Sequence, residues 1–293
     1  MKRNILHLLL LTVALLTTAV AQASDVNPDI KKVHIIFKTH LDIGFTDLSS
    51  VVERRYIENF IPKAIDLAEQ LREAGGEERY VWTTGSWVIA SYLEQASKKE
   101  IRRLEEAIER GDIVWNAMPY TTMTEVMTKD HLRTILRLSE QLDKRFGKKT
   151  IAAKMTDVPG HTRGIIPVFQ DAGIKMLHIG VNKQSYAPEV PEISRWRDPH
   201  GNEIILMLAG HYGTEMVLPD KQTVLGVFFT GDNRGPHSLE HVKQIYADLR
   251  RRYPNAELKA STLCAVAEEP ETMKDQLPVR TQELCDPWLH GVG

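Results

Sequence analysis

Short apolar runs with strand character alternate with helix-length amphipathic segments along most of this chain, and that alternation most limits its possible folds. The first run, 33–38, is Val-His-Ile-Ile-Phe-Lys. A helix is expected over 50–74, with Ser49 or Ser50 as its cap and Gly75-Gly76 as its stop. A short strand follows at 80–83. Ser97 can cap a helix carrying Ile101, Leu104 and Ile108 at helical spacing and ending at Gly111. Strand 113–115 comes next, then a helix capped by Asp130 with Leu132, Ile135, Leu138 and Leu142 on one side, stopped at Gly147. Strand 151–155, a short helix at 165–172 and strand 176–180 continue the pattern. Segments 192–197 and 203–209 read as a hairpin about Pro199-His200-Gly201-Asn202. Strand 224–229, helix 239–252 and strand 257–260 complete it. Such alternation argues for an α/β domain with a mostly parallel sheet covered by helices, either open and doubly wound or closed as a barrel. No Gly-rich phosphate loop follows the first strand, which counts against a dinucleotide site.

The start of the chain stands outside this pattern. Lys2 and Arg3 precede an apolar stretch, and Ala19-Val20-Ala21 and Ala21-Gln22-Ala23 fit small-x-small cleavage. Residues 1–23 are therefore expected to be a signal peptide and 24–293 a single exported domain, periplasmic or secreted. No other segment is long and apolar enough to span a bilayer, so no membrane association is expected after cleavage. The formal net charge of −2 implies no basic patch and no nucleic-acid partner. The two cysteines, Cys264 and Cys285, could form one disulfide in an oxidising compartment or remain two thiols.

Chemistry-bearing residues collect where the predicted strands end. His40 and Asp42 follow the first, Ser86 and Trp87 the second, Asn116 and Glu125 the third, Asp157 and His161 the fourth. His211 and Tyr212 follow the hairpin, and Asp232 and Asn233 the strand ending at Phe229. In a β/α barrel those ends converge on one mouth. Imidazole and carboxylate two residues apart, as in His40-Leu41-Asp42, suit zinc or a similar divalent ion. Asp47, Ser49 and Ser50 lie closer to the following helix, so capping does not require Asp42. Asp157, ahead of Pro159-Gly160, also fits turn chemistry, and His161 fits a structural role.

Taken together these segments resemble the N-terminal catalytic domain of glycoside hydrolase family 38, the α-mannosidases. Thr39-His40-Leu41-Asp42-Ile43-Gly44-Phe45-Thr46 is similar to the family's first-strand motif His-x-Asp-x-Gly-Trp, with Phe45 in place of Trp. Tyr80-Val81-Trp82 with Ser86 and Trp87 resembles its second strand. The segment 105–115 with Glu125 resembles a helix-strand pair ending in an acidic site residue. Asp157-Val158-Pro159-Gly160-His161 resembles Asp-Pro-Phe-Gly-His, and Gly231-Asp232-Asn233 resembles Gly-Asp-Asp. The resemblance implies a seven-stranded β/α barrel holding one zinc ion. It implies His40, Asp42 and Asp157 as metal ligands, with Asp157 also the nucleophile of a retaining glycosidase. Asp232 is then the acid that remains, because Asn233 stands at the second acidic position. Trp87, Glu125, His161, His211 and Tyr212 are expected on the substrate, a mannose-containing glycan, with Trp87, Trp115 and Tyr212 as stacking surfaces.

The family's fourth ligand, a His further downstream, has no match near His290, the only late His, and the family's later domains are absent. The expectation is a truncated gene product or a catalytic half lacking part of its pocket. Two rivals stand beside it. A metal-dependent carbohydrate deacetylase would want an Asp-Asp pair on the first strand and a His-x-x-x-His helix, and neither is present. A non-catalytic carbohydrate-binding barrel is favoured by Asn233 and by the missing ligand.

Overall fold

The computed structural model describes residues 26–158, 160–182 and 192–284. The expected signal peptide, Cys285 and His290 lie outside the described residues. Eleven strands and eight α-helices are found among them: β1 (Lys32–Thr39), α1 (Ser49–Arg55), α2 (Ile61–Glu73), β2 (Trp82–Gly85), α3 (Ser86–Gln95), α4 (Lys98–Arg110), β3 (Ile113–Asn116), α5 (Lys129–Phe146), β4 (Ala152–Asp157), α6 (Ile166–Asp171), β5 (Met176–Val181), β6 (Ile193–Arg197), β7 (Glu203–Ala209), β8 (Glu215–Val217), β9 (Thr223–Thr230), α7 (Leu239–Arg252), β10 (Glu257–Ala260), α8 (Leu263–Glu271) and β11 (Val279–Arg280). None of these helices is long and apolar enough to cross a membrane.

The strands form two sheets. One has the order β3-β2-β1-β9-β8, with β10 also on β1; the other has the order β11-β6-β7-β5-β4. Strands β9, β1, β2 and β3 pair parallel, as do β4, β5 and β7. The expected closed ring of seven strands is thus, in its hydrogen bonding, two separate sheets. The reason lies at two edges. Antiparallel β8 occupies the outer edge of β9, and antiparallel β6 occupies the outer edge of β7. At the other seam the sheets are stitched together, with Ala117 N donating to Ala152 O at 2.9 Å and Lys154 N to Asn116 Oδ1 at 3.0 Å.

Residue alternation along the strands separates two environments. On β1, Val33, Ile35 and Phe37 face helices α2, α4 and α7, in a cluster with Leu71, Leu104 and Tyr246. Ile36 points the other way, into an interior cluster with Met176, Ile205, Met207, Leu225 and Val227. That cluster draws on both sheets, so their inner faces share one core. Above it, towards the strand ends, the interior turns polar. Lys154 and His178 are buried on β4 and β5, with Lys154 Nζ and His178 Nδ1 3.1 Å apart. Burial lowers the pKa of both side chains, and the Lys38 amine adds to this for both. Lys38 itself is pushed down to about 8 by burial, with Asp42 opposing the shift.

The helix expected over 50–74 is broken into α1, a π-turn at Tyr56–Phe60, and α2. Pro62, in the first turn of α2, has no N–H for the regular ladder, and the wider turn accommodates the lost bond. Leu48, not Ser49 or Ser50, takes the capping position. Thr128, not Asp130, caps α5 by accepting from His131 N. Ser97 caps α4 as expected, in a capping box with Glu100, and Gly111 closes the helix at φ 82°. Trp115 belongs to the core: it is buried, donates to Asp143 Oδ1 at 3.1 Å and lies against Phe146. It offers no stacking surface for a sugar.

Candidate metal and carboxylate site

The loop after β1 carries the first two functional side chains. Leu41 packs into the helix-side core, which leaves His40 and Asp42 together on the opposite side. His40 is buried, and its Nε2 lies 3.1 Å from Asp42 Oδ1. Its other ring nitrogen, Nδ1, is buried with no hydrogen-bond partner. The loop after β9 brings Asp232 to the same place. Ligand-type atoms of His40, Asp42 and Asp232 all lie within 4.8 Å of one another. Two ionised carboxylates 4.8 Å apart or closer repel by about 3.5 kcal/mol or more at an effective dielectric near 20, less where one is exposed as Asp232 is. A dication between them removes that cost. One imidazole, two carboxylates and an unsatisfied buried imidazole nitrogen fit a divalent ion such as zinc with coordination positions left open.

Asp157 stands at the end of β4, next to this group and not among its three members. Its backbone is held at φ 81°, in the left-handed region that side chains other than glycine rarely adopt. Asn182, directly after β5, donates from Nδ2 to Asp157 Oδ1 at 2.7 Å. The Tyr212 hydroxyl donates to the same oxygen. Tyr212 also stacks on His40, with ring centroids 4.7 Å apart, and so joins the Asp157 side to the metal-ligand side. Burial, then the Asp157 hydrogen bond and charge, push its phenol well above the ordinary range, so it stays protonated and donates. Its approach depends on Gly180. A Cβ there would come within 2.8 Å of the carbonyl oxygens of both His211 and Tyr212.

The remaining sequence candidates separate. His211 is half-buried, lies 6.0 Å from the Tyr212 ring centroid and packs on Phe229 at 5.7 Å, on the rim of the same site. His161 is fully buried and works as a staple. Its Nε2 bonds Val158 O at 3.1 Å, its Nδ1 bonds Thr124 Oγ1 at 3.0 Å, and its backbone pairs with Leu284. Burial pushes its imidazole down to about 4, so the ring is neutral: Nε2–H donates to the carbonyl and Nδ1 accepts from the hydroxyl. His161 thereby supports the Asp157 turn from below. Glu125 sits beside Thr124 with Oε2 buried and unpartnered. Trp87 is half-buried against the helix-side core. The sequence reading missed Asn182, although its place directly after a strand matches the rule that singled out the others.

Residues 31–278 match the family model described as the glycosyl hydrolases family 38 N-terminal domain. Among solved structures the chain is similar to an alpha-mannosidase from Enterococcus faecalis V583, with a TM-score of 0.66 and 14% identity over 87% of this chain and 31% of that one. It is similar to a family 38 glycosyl hydrolase protein from the same species, at 0.60 and 12% identity, over 87% of this chain and 29% of that one. It also resembles a 4-alpha-glucanotransferase from Thermococcus litoralis, at 0.54 and 12% identity, over 80% and 40% of the two chains. The chain therefore spans about a third of the length of these structures. No curated protein sequence matches it.

Proposed function

The chain belongs to the glycosyl hydrolases family 38 N-terminal domain family, and from that membership we propose that it is an exported, α-mannosidase-like retaining glycosidase that uses zinc or a similar divalent ion. The observation that carries this reading is the convergence of His40, Asp42 and Asp232 beside a carboxylate, Asp157, whose one oxygen is already fixed by Asn182 and Tyr212. His40, Asp42 and Asp232 would hold the ion, and the family resemblance implies Asp157 as a further ligand. When bound, the ion supplies positive charge that can hold neighbouring sugar hydroxyls.

The protein's own groups do the rest. Asn182 and Tyr212 donate to Asp157 Oδ1, which leaves Oδ2 to attack the anomeric carbon of a mannoside in line with the departing oxygen. Donors already in place on the nucleophile need no reorganisation as the glycosyl ester forms. The ester is then cleaved by water, so the configuration at the anomeric carbon is retained. His211 and Tyr212 form the wall against which the sugar ring lies.

Asp232 has two possible duties that exclude one another. A carboxylate bound to a dication is ionised and holds no proton to give a leaving group. Its place against His40 and Asp42 favours the ligand role over the acid role. That leaves proton donation without a carboxylate of its own, and supports a second reading, a sugar-binding domain with weak or no turnover. Aryl α-mannosides distinguish the two, because their leaving groups need little protonation. Hydrolysis that is lost on chelation, restored by zinc and abolished in Asp157→Asn supports the glycosidase. Zinc uptake with mannose binding and no hydrolysis of activated substrates supports the binding domain.

A further inference from the structure

We propose that Asn233 is a positioning residue that holds the His40–Asp42 loop in its ligand-presenting shape, and that it is not the vestige of a proton donor; this rests on the metal-site reading above. Asn233 is 7% exposed and adopts φ 51°, a left-handed conformation that Asn tolerates better than most residues. Its side chain is fully used. Oδ1 accepts from Asp42 N at 3.1 Å. Nδ2 donates to Asp42 O at 2.8 Å and to Thr46 Oγ1 at 2.7 Å. Its backbone N–H donates to His40 O at 2.9 Å. Three backbone groups of the two ligand-bearing residues therefore end on this one residue.

Only a primary amide of this length can do this. It must offer an acceptor to one main-chain group and a donor to the other, at the same peptide segment. The reverse orientation of the amide would set an N–H against Asp42 N–H and an oxygen against Asp42 O, so the two backbone groups fix it. An ionised carboxylate in its place would keep the bond from Asp42 N. It would lose both donors, face the lone pairs of Asp42 O, and add a third negative charge beside Asp42 and Asp232. The same loop thus supplies the third carboxylate through Asp232 and fastens the other two ligands through Asn233. Thr39 Oγ1, donating to Gly235 O at 2.7 Å, ties that loop back to β1.

The deciding variants are Asn233→Asp, which keeps size and shape, and Asn233→Gly, which keeps the backbone conformation and removes the amide. Zinc affinity is measured by competition with a chromophoric chelator. Exchange of the Asp42 amide is measured on the metal-free full chain, with near-ultraviolet circular dichroism as the check on folding. Asn233→Gly is expected to exchange the Asp42 amide faster, and both variants to bind zinc about 10- to 100-fold more weakly, the usual loss when groups supporting ligands are removed. Wild-type exchange in Asn233→Gly together with wild-type zinc affinity in Asn233→Asp overturns the proposal. So does a gain of turnover with a new acidic limb in its pH profile, since that identifies a lost acid. If the wild-type chain binds no zinc, the metal reading falls, and the exchange comparison still decides whether Asn233 holds the loop.

Discussion

On the proposed reading Asp157 carries the heaviest chemical demand of any single side chain in this protein, and its surroundings are specialised. It sits in a backbone conformation that costs of order 1–3 kcal/mol in a residue other than glycine, and two donors converge on one of its oxygens. Asn182→Ala removes one donor and loosens the nucleophile without deleting it. Its kcat/KM on an aryl α-mannoside should fall about 10- to 1,000-fold, by analogy with removal of one preorganised donor elsewhere, with zinc affinity nearly unchanged. For Asp232→Asn the expectation is reversed: zinc binding weakens, and changing to a better leaving group does not restore the rate. Restoration by a better leaving group with full zinc affinity would assign Asp232 as the acid. At this scale the sequence was informative for residue types beside strand ends, which singled out His40, Asp42, Asp157, Tyr212 and Asp232. It singled out Asn233 too but not its role, because its partners lie 191 and 187 positions away. From spacing alone Asn233 looks like a missing acid; its hydrogen bonds show a clamp.

Elements present these residues, and their stability rests on local chemistry that can be tested in isolation. The capping box of α4 satisfies two otherwise unpaired donors, Glu100 N and Ser97 N. Ser97→Ala should lower stability by about 1 kcal/mol in denaturant unfolding without changing the slope. The β4 turn depends on neutral His161, whose folded value of about 4 lies below its ordinary 6.5. The unfolded chain therefore binds the extra proton first, so stability is lost as pH falls from about 6.5 towards 4. The steepest loss from this one residue is about 1.4 kcal/mol per pH unit. His161→Gln should flatten that part of a thermal-stability profile against pH. Element boundaries were read less well than element types. Helix α3 was missed because Ser-Trp-Val-Ile-Ala-Ser-Tyr-Leu is apolar around most of its surface and shows no clean helical stripe. The break before α2 was missed because periodicity does not register one π-turn.

Across the whole molecule the arrangement is a parallel α/β core whose two sheets share an interior, with acidic and imidazole groups gathered at the carboxyl ends of the strands. Alternation of strands and helices was enough to predict a mostly parallel core. It could not show that β6 and β8 would occupy the two edges a ring needs, because edge pairing is decided by contacts far apart in sequence. Half-buried Lys38 and buried Lys154 lie on strands β1 and β4, whose carboxyl ends carry Asp42 and Asp157, and Lys38 senses the charge of Asp42. This polarity suits a site that takes a cation from solvent at one end. The central claim, that the site performs retaining mannoside cleavage through Asp157, is tested most directly by treating the zinc-loaded full chain with a fluorinated mannosyl fluoride that slows ester hydrolysis, then mapping the adduct by peptide mass spectrometry. A single mannosyl ester on Asp157 is predicted. A zinc-loaded chain that remains unlabelled, or is labelled at another carboxylate, contradicts the account.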